Sequence, residues 1–338
     1  MGRRGAISLV LTVTVIGALS ATPHASGQTA PTIAWGAYAA GGQYGMEDAP
    51  WNMRSAAAFE GNAQKRMSLL QWGQTWFECS RFCGFRPFRA RLFERARAHG
   101  YIPVLSWGSY DERRGANQPR FQLADIIAGR YDRFIRAWAR GAARWGHPFF
   151  LRFDWEMNTN SVPYSEHSNG NRRGEFAKMW RHVHRIVRKQ GAANAIWVWC
   201  PNVQYRGSVK PLASLYPGDA YVDWTCLDGY NWGTDPARRD RWMSFDRIFR
   251  DTYALLTTWI APSKPVMIGE TGSTEHGGSK AGWISDALAV QIPFNYPAVR
   301  AVVWFNKRWD GVNWPIESSP AARLAFAGAI SSPVYASR

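Results

Sequence analysis

Two glutamates each close a short apolar run: Glu156 in "FFLRFDWEMN", residues 149–158, and Glu270 in "PVMIGE", residues 265–270. Runs of this length and composition read as buried strands, and a carboxylate at the C-terminal end leaves the core while staying within reach of it. Two carboxyl groups brought about 5–5.5 Å apart can break a glycosidic bond with retention of configuration, one protonating the leaving oxygen and the other attacking the anomeric carbon. The glutamates could instead form ion pairs with Arg152 or another arginine and only close the top of the fold.

The company these residues keep favours chemistry on sugars. The ends of the apolar runs carry Trp35, Tyr38, Trp72, Trp107, Asp154, Trp155, Asn158, Asn202, Asp228, Tyr230, Trp232, Trp304 and Asn306, which are acids, amides and flat aromatics. Aromatic faces stack on the C–H side of a pyranose while carboxylates and amides take its hydroxyls. The candidate substrate-binding set is therefore Trp35, Trp107, Arg152, Trp155, Asn158, Asp228, Tyr230, Trp232 and Trp304. Within it, the Tyr230 hydroxyl would hold Glu270 in its reactive orientation, Asp228 would take a substrate hydroxyl or orient a neighbour, and Trp304 would form the floor under the attacked sugar. Each also has a plainer role, as turn acid, core aromatic and core indole respectively.

Eight apolar runs alternate with stretches of helical period: residues 32–38, 67–72, 101–107, 148–154, 195–200, 221–230, 265–270 and 301–306. Leu123, Ile127, Tyr131, Phe134, Trp138, Ala142 and Trp145 recur at three- and four-residue steps and predict one long helix; Phe176, Trp180, Val183 and Val187 predict another. Eight such βα units predict a closed (β/α)8 barrel of the TIM type, in which reactive side chains gather at the C-terminal strand ends. The fourth and seventh ends, which carry Glu156 and Glu270, face each other across the mouth. A doubly wound dinucleotide fold is disfavoured because "AAGGQYG" after the first run lacks G-x-G-x-x-G order.

Arg3 and Arg4 precede an apolar run from Ile7 to Leu19 and then small residues, the layout of a secretory signal cleaved near Gly27. Residues 1–27 are thus expected to be a leader and 28–338 a single catalytic domain, secreted and, with the leader gone, not attached to a membrane. The net charge is +16, and since residues 1–27 hold two arginines and no acid, +14 remains after cleavage. The arginines are scattered among acids and apolar residues, as in "FRARLFERARAHG", so nucleic-acid binding is not expected. In an oxidising compartment Cys79 and Cys83 are close enough to bridge within a loop, whereas Cys200 and Cys226 could be two buried thiols or a second bridge. His182 and His184 are two apart on a helix and diverge, and His147 precedes a strand, so neither a metal site nor a Ser-His-Asp arrangement is expected, and no cofactor is implied. The expected partner is a polysaccharide substrate and the expected state a monomer.

Five segments in order, "WEMN", "EFAKMWRHVHRIVRKQGAANAIWVWCPN", "YPGDAYVDWTCLDGYNWG", "KPVMIGETGS" and "AVVWFN", together resemble glycoside hydrolase family 26, whose best-known members are β-mannanases. The resemblance runs from about Trp35 to Trp314. It implies a (β/α)8 barrel acting with retention, with Glu156 as general acid/base and Glu270 as nucleophile; Asp228 and Tyr230 match the family's strand-six Asp-x-Tyr and Trp304 its strand-eight Trp. The sequence departs from the family at Trp155, where the family usually has His before the acid/base. An indole has one donor and no acceptor, so it cannot repeat all the contacts of an imidazole. The implied reaction is endo-hydrolysis of a β-linked polysaccharide, β-1,4-mannan ahead of β-glucan and β-xylan, with a polysaccharide-binding barrel that does not cut and an enzyme for acidic glycans as alternatives.

Overall fold

A computed structural model describes Gly2 and residues 32–79, 82–204, 211–234, 241–309 and 311–337. The expected leader, residues 1–27, lies outside the described residues apart from Gly2. Eight parallel strands form the centre: β1 (Ile33–Ala39), β2 (Leu69–Cys79), β3 (Ile102–Asp111), β4 (Phe149–Phe153), β5 (Ala195–Trp199), β6 (Trp224–Asn231), β7 (Val266–Ser273) and β8 (Val299–Asn306). Each pairs with its successor, and β1 pairs with both β2 and β8, which closes the (β/α)8 barrel. The helices that follow the strands are α1 (Met53–Ala63), α2 (Ala90–Ala98), α3 (Asp132–Trp145), α4 (Glu175–Lys189), α5 (Leu212–Leu215), α6 (Phe245–Leu255), α7 (Lys280–Ser285) and α8 (Pro320–Ile330).

Side chains alternate across a strand, so every second residue faces the barrel interior. Leu69, Val104, Phe150, Val198, Cys226, Met267 and Val303 belong to one interior cluster. Two residues further along six of these strands stand Gln71, Ser106, Arg152, Cys200, Asp228 and Phe305. A layer in which Gln71, Ser106, Arg152 and Asp228 are polar thus lies on an apolar one, toward the C-terminal end. The residues of opposite parity, among them Leu70, Leu105, Leu151, Trp197 and Val302, join the larger cluster between barrel and helices. Gly36 is required by this geometry, since a Cβ there would stand 2.1 Å from the Leu69 carbonyl oxygen.

Two expectations from periodicity are corrected. The helix predicted across Leu123–Trp145 is broken: a short turn of helix, Leu123–Ile127, ends at Gly129, whose φ of +85° is left-handed, and α3 begins afresh at Asp132. Gly meets no Cβ penalty there, which ends the helical run despite unbroken apolar spacing. The second strand is longer than expected, since β2 runs past Trp72 to Cys79 and folds back on Cys83–Phe85 in an antiparallel pair bridged by Cys79–Cys83.

Candidate active site

The site is built where the polar layer meets the mouth. Arg152, at the fourth position of β4, is fully buried and donates from Nη1 to Ser106 Oγ at 2.9 Å and Glu270 Oε1 at 2.8 Å, and from Nη2 to Asp228 Oδ2 and to Cys200 Sγ at 3.4 Å. Burial works against its charge, but the carboxylates of Asp228 and Glu270 more than offset that and drive its pKa upward. A buried guanidinium is tolerated on such terms, paired and hydrogen-bonded.

Glu270 reaches this arginine through a break in the strand pattern. Met267 faces the interior and Ile268 the helices, so strict alternation would turn Glu270 toward the helices as well. Between Leu227/Asp228 of β6 and Ile268/Glu270 of β7 the register shifts by one residue, with Gly269 as the extra residue. This β-bulge re-aims Glu270 inward. Only glycine fits at the bulge: a Cβ on Gly269 would stand 2.2 Å from Cys226 Sγ and 2.8 Å from Asp228 Oδ1. Once inside, Glu270 accepts from Arg152 and, at 3.0 Å, from Gln71 Nε2 on Oε1, and from the Tyr230 hydroxyl at 2.6 Å on Oε2. Burial, with the Glu270 charge next in effect, holds the Tyr230 pKa well above its usual value, so the phenol remains a donor.

Glu156 follows β4 in a tight turn. Asp154 and Glu156 have left-handed φ of +42° and +55°. Such conformations cost about 1–2 kcal/mol for a residue with a Cβ. They are held by Asp154 N donating to the Trp107 carbonyl at 3.0 Å, by Glu156 N donating to the Cys200 carbonyl at 2.7 Å, and by Ser109, whose N and Oγ each donate to the Asp154 carboxylate at 2.7 Å. The strain therefore aims the Glu156 side chain into the mouth, where Asn202 Nδ2 donates to Oε1 at 2.7 Å. Burial and then the Glu270 charge push the Glu156 pKa up to about 7, against the lowering effects of Asn202 and Arg152. One carboxylate is thus held by three donors, and a second, electrostatically linked to it, is biased toward carrying a proton. Such a divergence of environments separates a nucleophile from an acid.

The predicted substrate contacts divide sharply. Trp155 is half-buried beside the interior cluster, its ring 5.9 Å from Arg152 Cζ and 6.5 Å from Tyr110, and Trp232 is half-buried against Tyr230 and Trp314. Asp228 is fully buried on Arg152, so its role is to orient that residue rather than to take a sugar hydroxyl. Asn158 is also fully buried: it donates to the Asn202 carbonyl at 2.8 Å and accepts from Asn202 N at 2.9 Å, which makes it a support for Asn202.

Three tryptophans face away from the mouth. Trp35, Trp107 and Trp304 are 1 %, 0 % and 1 % exposed. Trp35 lies between Phe59 of α1 and Phe326 of α8, Trp107 stacks on Trp138 of α3 at 4.1 Å, and Trp304 packs on Phe326 and Trp283. The reason is strand parity: Val303 belongs to the interior cluster and Phe305 meets Tyr38 and Tyr230, whereas Val302 and Trp304 join the cluster toward the helices. Phe305, 5.3 Å from Tyr38 and 5.8 Å from Tyr230, takes the position expected of Trp304. Residues absent from the predicted set are Gln71, Ser106, Asn202 and Phe305. Gln71 and Ser106 had a signal, a lone polar residue two places beyond an interior apolar one in "LLQW" and "VLSW".

Cys200 and Cys226 are bridged, which resolves the alternatives for that pair. With Asp228 they form the one group of possible metal ligands among the described residues, but both sulfurs are bonded to each other and Asp228 faces a guanidinium. The arrangement suits an internal ion pair and not a cation.

The sequence profile of Glycosyl hydrolase family 26 matches residues 130–264. Endoglucanase H of Acetivibrio thermocellus is 33 % identical over 255 residues, covering 74 % of this chain and 26 % of that protein; the chain spans about a quarter of the length of this relative. Among solved structures, a modular endo-β-1,4-mannanase from Cellulomonas fimi aligns with a TM-score of 0.66 and 15 % identity over 90 % of this chain and 72 % of that one. A β-mannanase of the same family from Bacteroides ovatus aligns at 0.60 and 15 % over 90 % of each chain. The structural likenesses carry the barrel fold, and the profile match over residues 130–264 together with the curated relative supports an assignment of this chain to Glycosyl hydrolase family 26.

Proposed function

We propose that this protein is a secreted, endo-acting β-glycanase that hydrolyses by double displacement. Glu270 attacks the anomeric carbon while Glu156 protonates the leaving oxygen; Glu156 then takes a proton from the water that releases the glycosyl-enzyme. The observation that carries this reading is the pair of unlike environments, Glu270 held by Arg152, Gln71 and Tyr230, and Glu156 raised to about 7 beside it. Arg152 and Gln71 occupy Oε1, and Tyr230 hands Oε2 to the sugar. Trp155, Trp232 and Phe305 line the mouth as faces for sugar rings. The leader-like first 27 residues and the two disulfides support export.

The substrate is a β-linked polysaccharide, with β-glucan placed ahead of β-mannan. The 33 % identity to a protein named as an endoglucanase favours glucan, and Trp155 in place of the family's usual His weakens the case for mannan drawn from the family's habit. Mannan stays as a second reading because the solved structures of like fold include mannanases. Initial rates of reducing-end release on mixed-linkage β-glucan, β-mannan and β-xylan decide the order. No release from any of them overturns the glycanase reading in favour of a barrel that only binds.

The roles of the carboxylates separate by stereochemistry. Glu156→Ala should still accept an aryl glycoside with an activated leaving group, and azide should then yield a glycosyl azide of retained configuration. Glu270→Ala should lose turnover by about 10⁴-fold or more, and any azide product should be inverted. The opposite stereochemical pattern exchanges the roles, and wild-type turnover in both variants moves the site elsewhere.

A further inference from the structure

The charge that is scattered in sequence is gathered in space. Helices α2, α3 and α4 hold twelve Arg or Lys and three Asp or Glu, a net +9 out of the chain's +16. They are consecutive in the barrel and lie side by side: Trp145 of α3 donates to Glu94 of α2 at 3.2 Å, and Arg140 of α3 donates to Gln190 at the end of α4 at 3.1 Å. Arg133, Arg136, Arg140 and Arg144 follow one another at three- and four-residue steps on the exposed face of α3, a stripe about 16 Å long. Arg185 and Lys189 continue it on α4. The three acids are engaged already, Glu94 by Arg97, Asp132 by Arg136 and Glu175 by the Arg172 amide. Arg97, Arg136 and Arg188 of this face are paired with carboxylates, as Arg152, Lys307 and Arg113 are elsewhere, so the surplus rests on the remaining cations and on the small number of acids.

We propose that this face of α2–α4 is a binding surface for an acidic polysaccharide, separate from the catalytic mouth, and that it anchors the enzyme to a carboxylate-bearing matrix while the mouth works on another polymer. Ten of the twelve cations are arginine, whose planar fork matches a carboxylate in two-point contact. The large exposed apolar side chains, such as Trp259, Phe294 and Leu324, lie off these helices among the described residues. A membrane surface would call for apolar residues between the cations, and a single-stranded nucleic acid for stacking aromatics. The glycanase reading enters only in the choice of a polysaccharide over other polyanions.

The test uses the full chain and immobilised polygalacturonate, with binding read without turnover. The chain should be retained at about 50 mM salt and its Kd should rise at least about tenfold by about 300 mM. Arg133→Gln/Arg140→Gln/Arg144→Gln should weaken binding by about tenfold or more while leaving the melting curve and the rate on a soluble neutral β-glycan unchanged. A control of equal charge loss on other helices, Arg54→Gln/Arg247→Gln/Arg250→Gln, should bind like the parent. Equal loss in both triple variants, no loss in the first, or tighter binding to duplex DNA than to polygalacturonate overturns the proposal. A chain that binds polygalacturonate but cleaves no β-glycan overturns the catalytic reading alone.

Discussion

Gln71 is the residue outside the predicted set whose contribution is most exposed to test. Its amide donates to the same Glu270 oxygen as Arg152, in a site 1 % exposed to solvent. A hydrogen bond to a charged acceptor contributes about 1.5–3 kcal/mol. Gln71→Leu keeps the volume and removes the donor, so kcat should fall about tenfold or more with KM changed little, in steady-state kinetics on a soluble β-glycan. Asn202 acts on the other carboxylate in a calculable direction. Its bond favours ionised Glu156 and lowers a pKa that stands at about 7. Since the proton donor must be protonated, the alkaline limb of kcat/KM should fall near neutrality, and Asn202→Ala should move that limb to higher pH. A limb that shifts to lower pH contradicts the assignment of Glu156 as the acid.

At the scale of elements, the seventh strand and the turn after the fourth are both distorted at the point where they deliver a carboxylate. The bulge at Gly269 turns Glu270 inward, and left-handed backbone at Asp154 and Glu156 turns Glu156 over the mouth. Gly269→Ala places a methyl within 3 Å of the Cys226 sulfur and the Asp228 carboxylate. Overpacking of this kind costs about 1–3 kcal/mol. Thermal melting should register that loss, and activity should fall further than stability accounts for, because the bulge sets both Asp228 and Glu270. Behind the mouth, buried Lys280 of α7 donates to the carbonyls of Asn313, Trp314 and Pro315, fixing the loop that packs Trp314 at 4.9 Å from both Tyr230 and Trp232.

For the whole molecule, the buried acids make stability depend on pH in a definite sense. Burial raises Asp154 to about 8 from 3.8, and Glu156 stands at about 7. Between about pH 4 and 8 the folded state holds protons that the unfolded chain has released, so stability is fully present below the unfolded pKa and is lost as pH rises through the folded values. These two acids should therefore pull the melting temperature down from pH 5 to pH 8, against the opposite pull of buried His184, lowered to about 4, and Lys280, lowered to about 7. Asp154→Asn, which accepts from the Ser109 amide without ionising, should show a shallower decline; an equally steep one removes Asp154 as the source.

Much of this was legible in residues alone because the barrel rests on local periodicities. Eight apolar runs, the helical faces between them and the acids at the fourth and seventh ends depend on neighbours within a few residues, and the sequence carries those directly. Trp35, Trp107 and Trp304 show the limit. A tryptophan at a strand end is equally suited to a sugar or to a helix, and only the parity of the closed sheet turns these three toward the helices. Glu270 shows the converse, since simple alternation points it outward and a one-residue register shift, set by pairing with β6, brings it in. Gln71 and Asn202 become site residues through contacts 199 and 46 positions away, and the arginines of α2–α4 become a single surface through the lateral order of the helices. The sequence by itself determined which chemistry was present and on what elements. Barrel closure decided which side chains share a face, because facing is a property of strand pairing that no single strand contains.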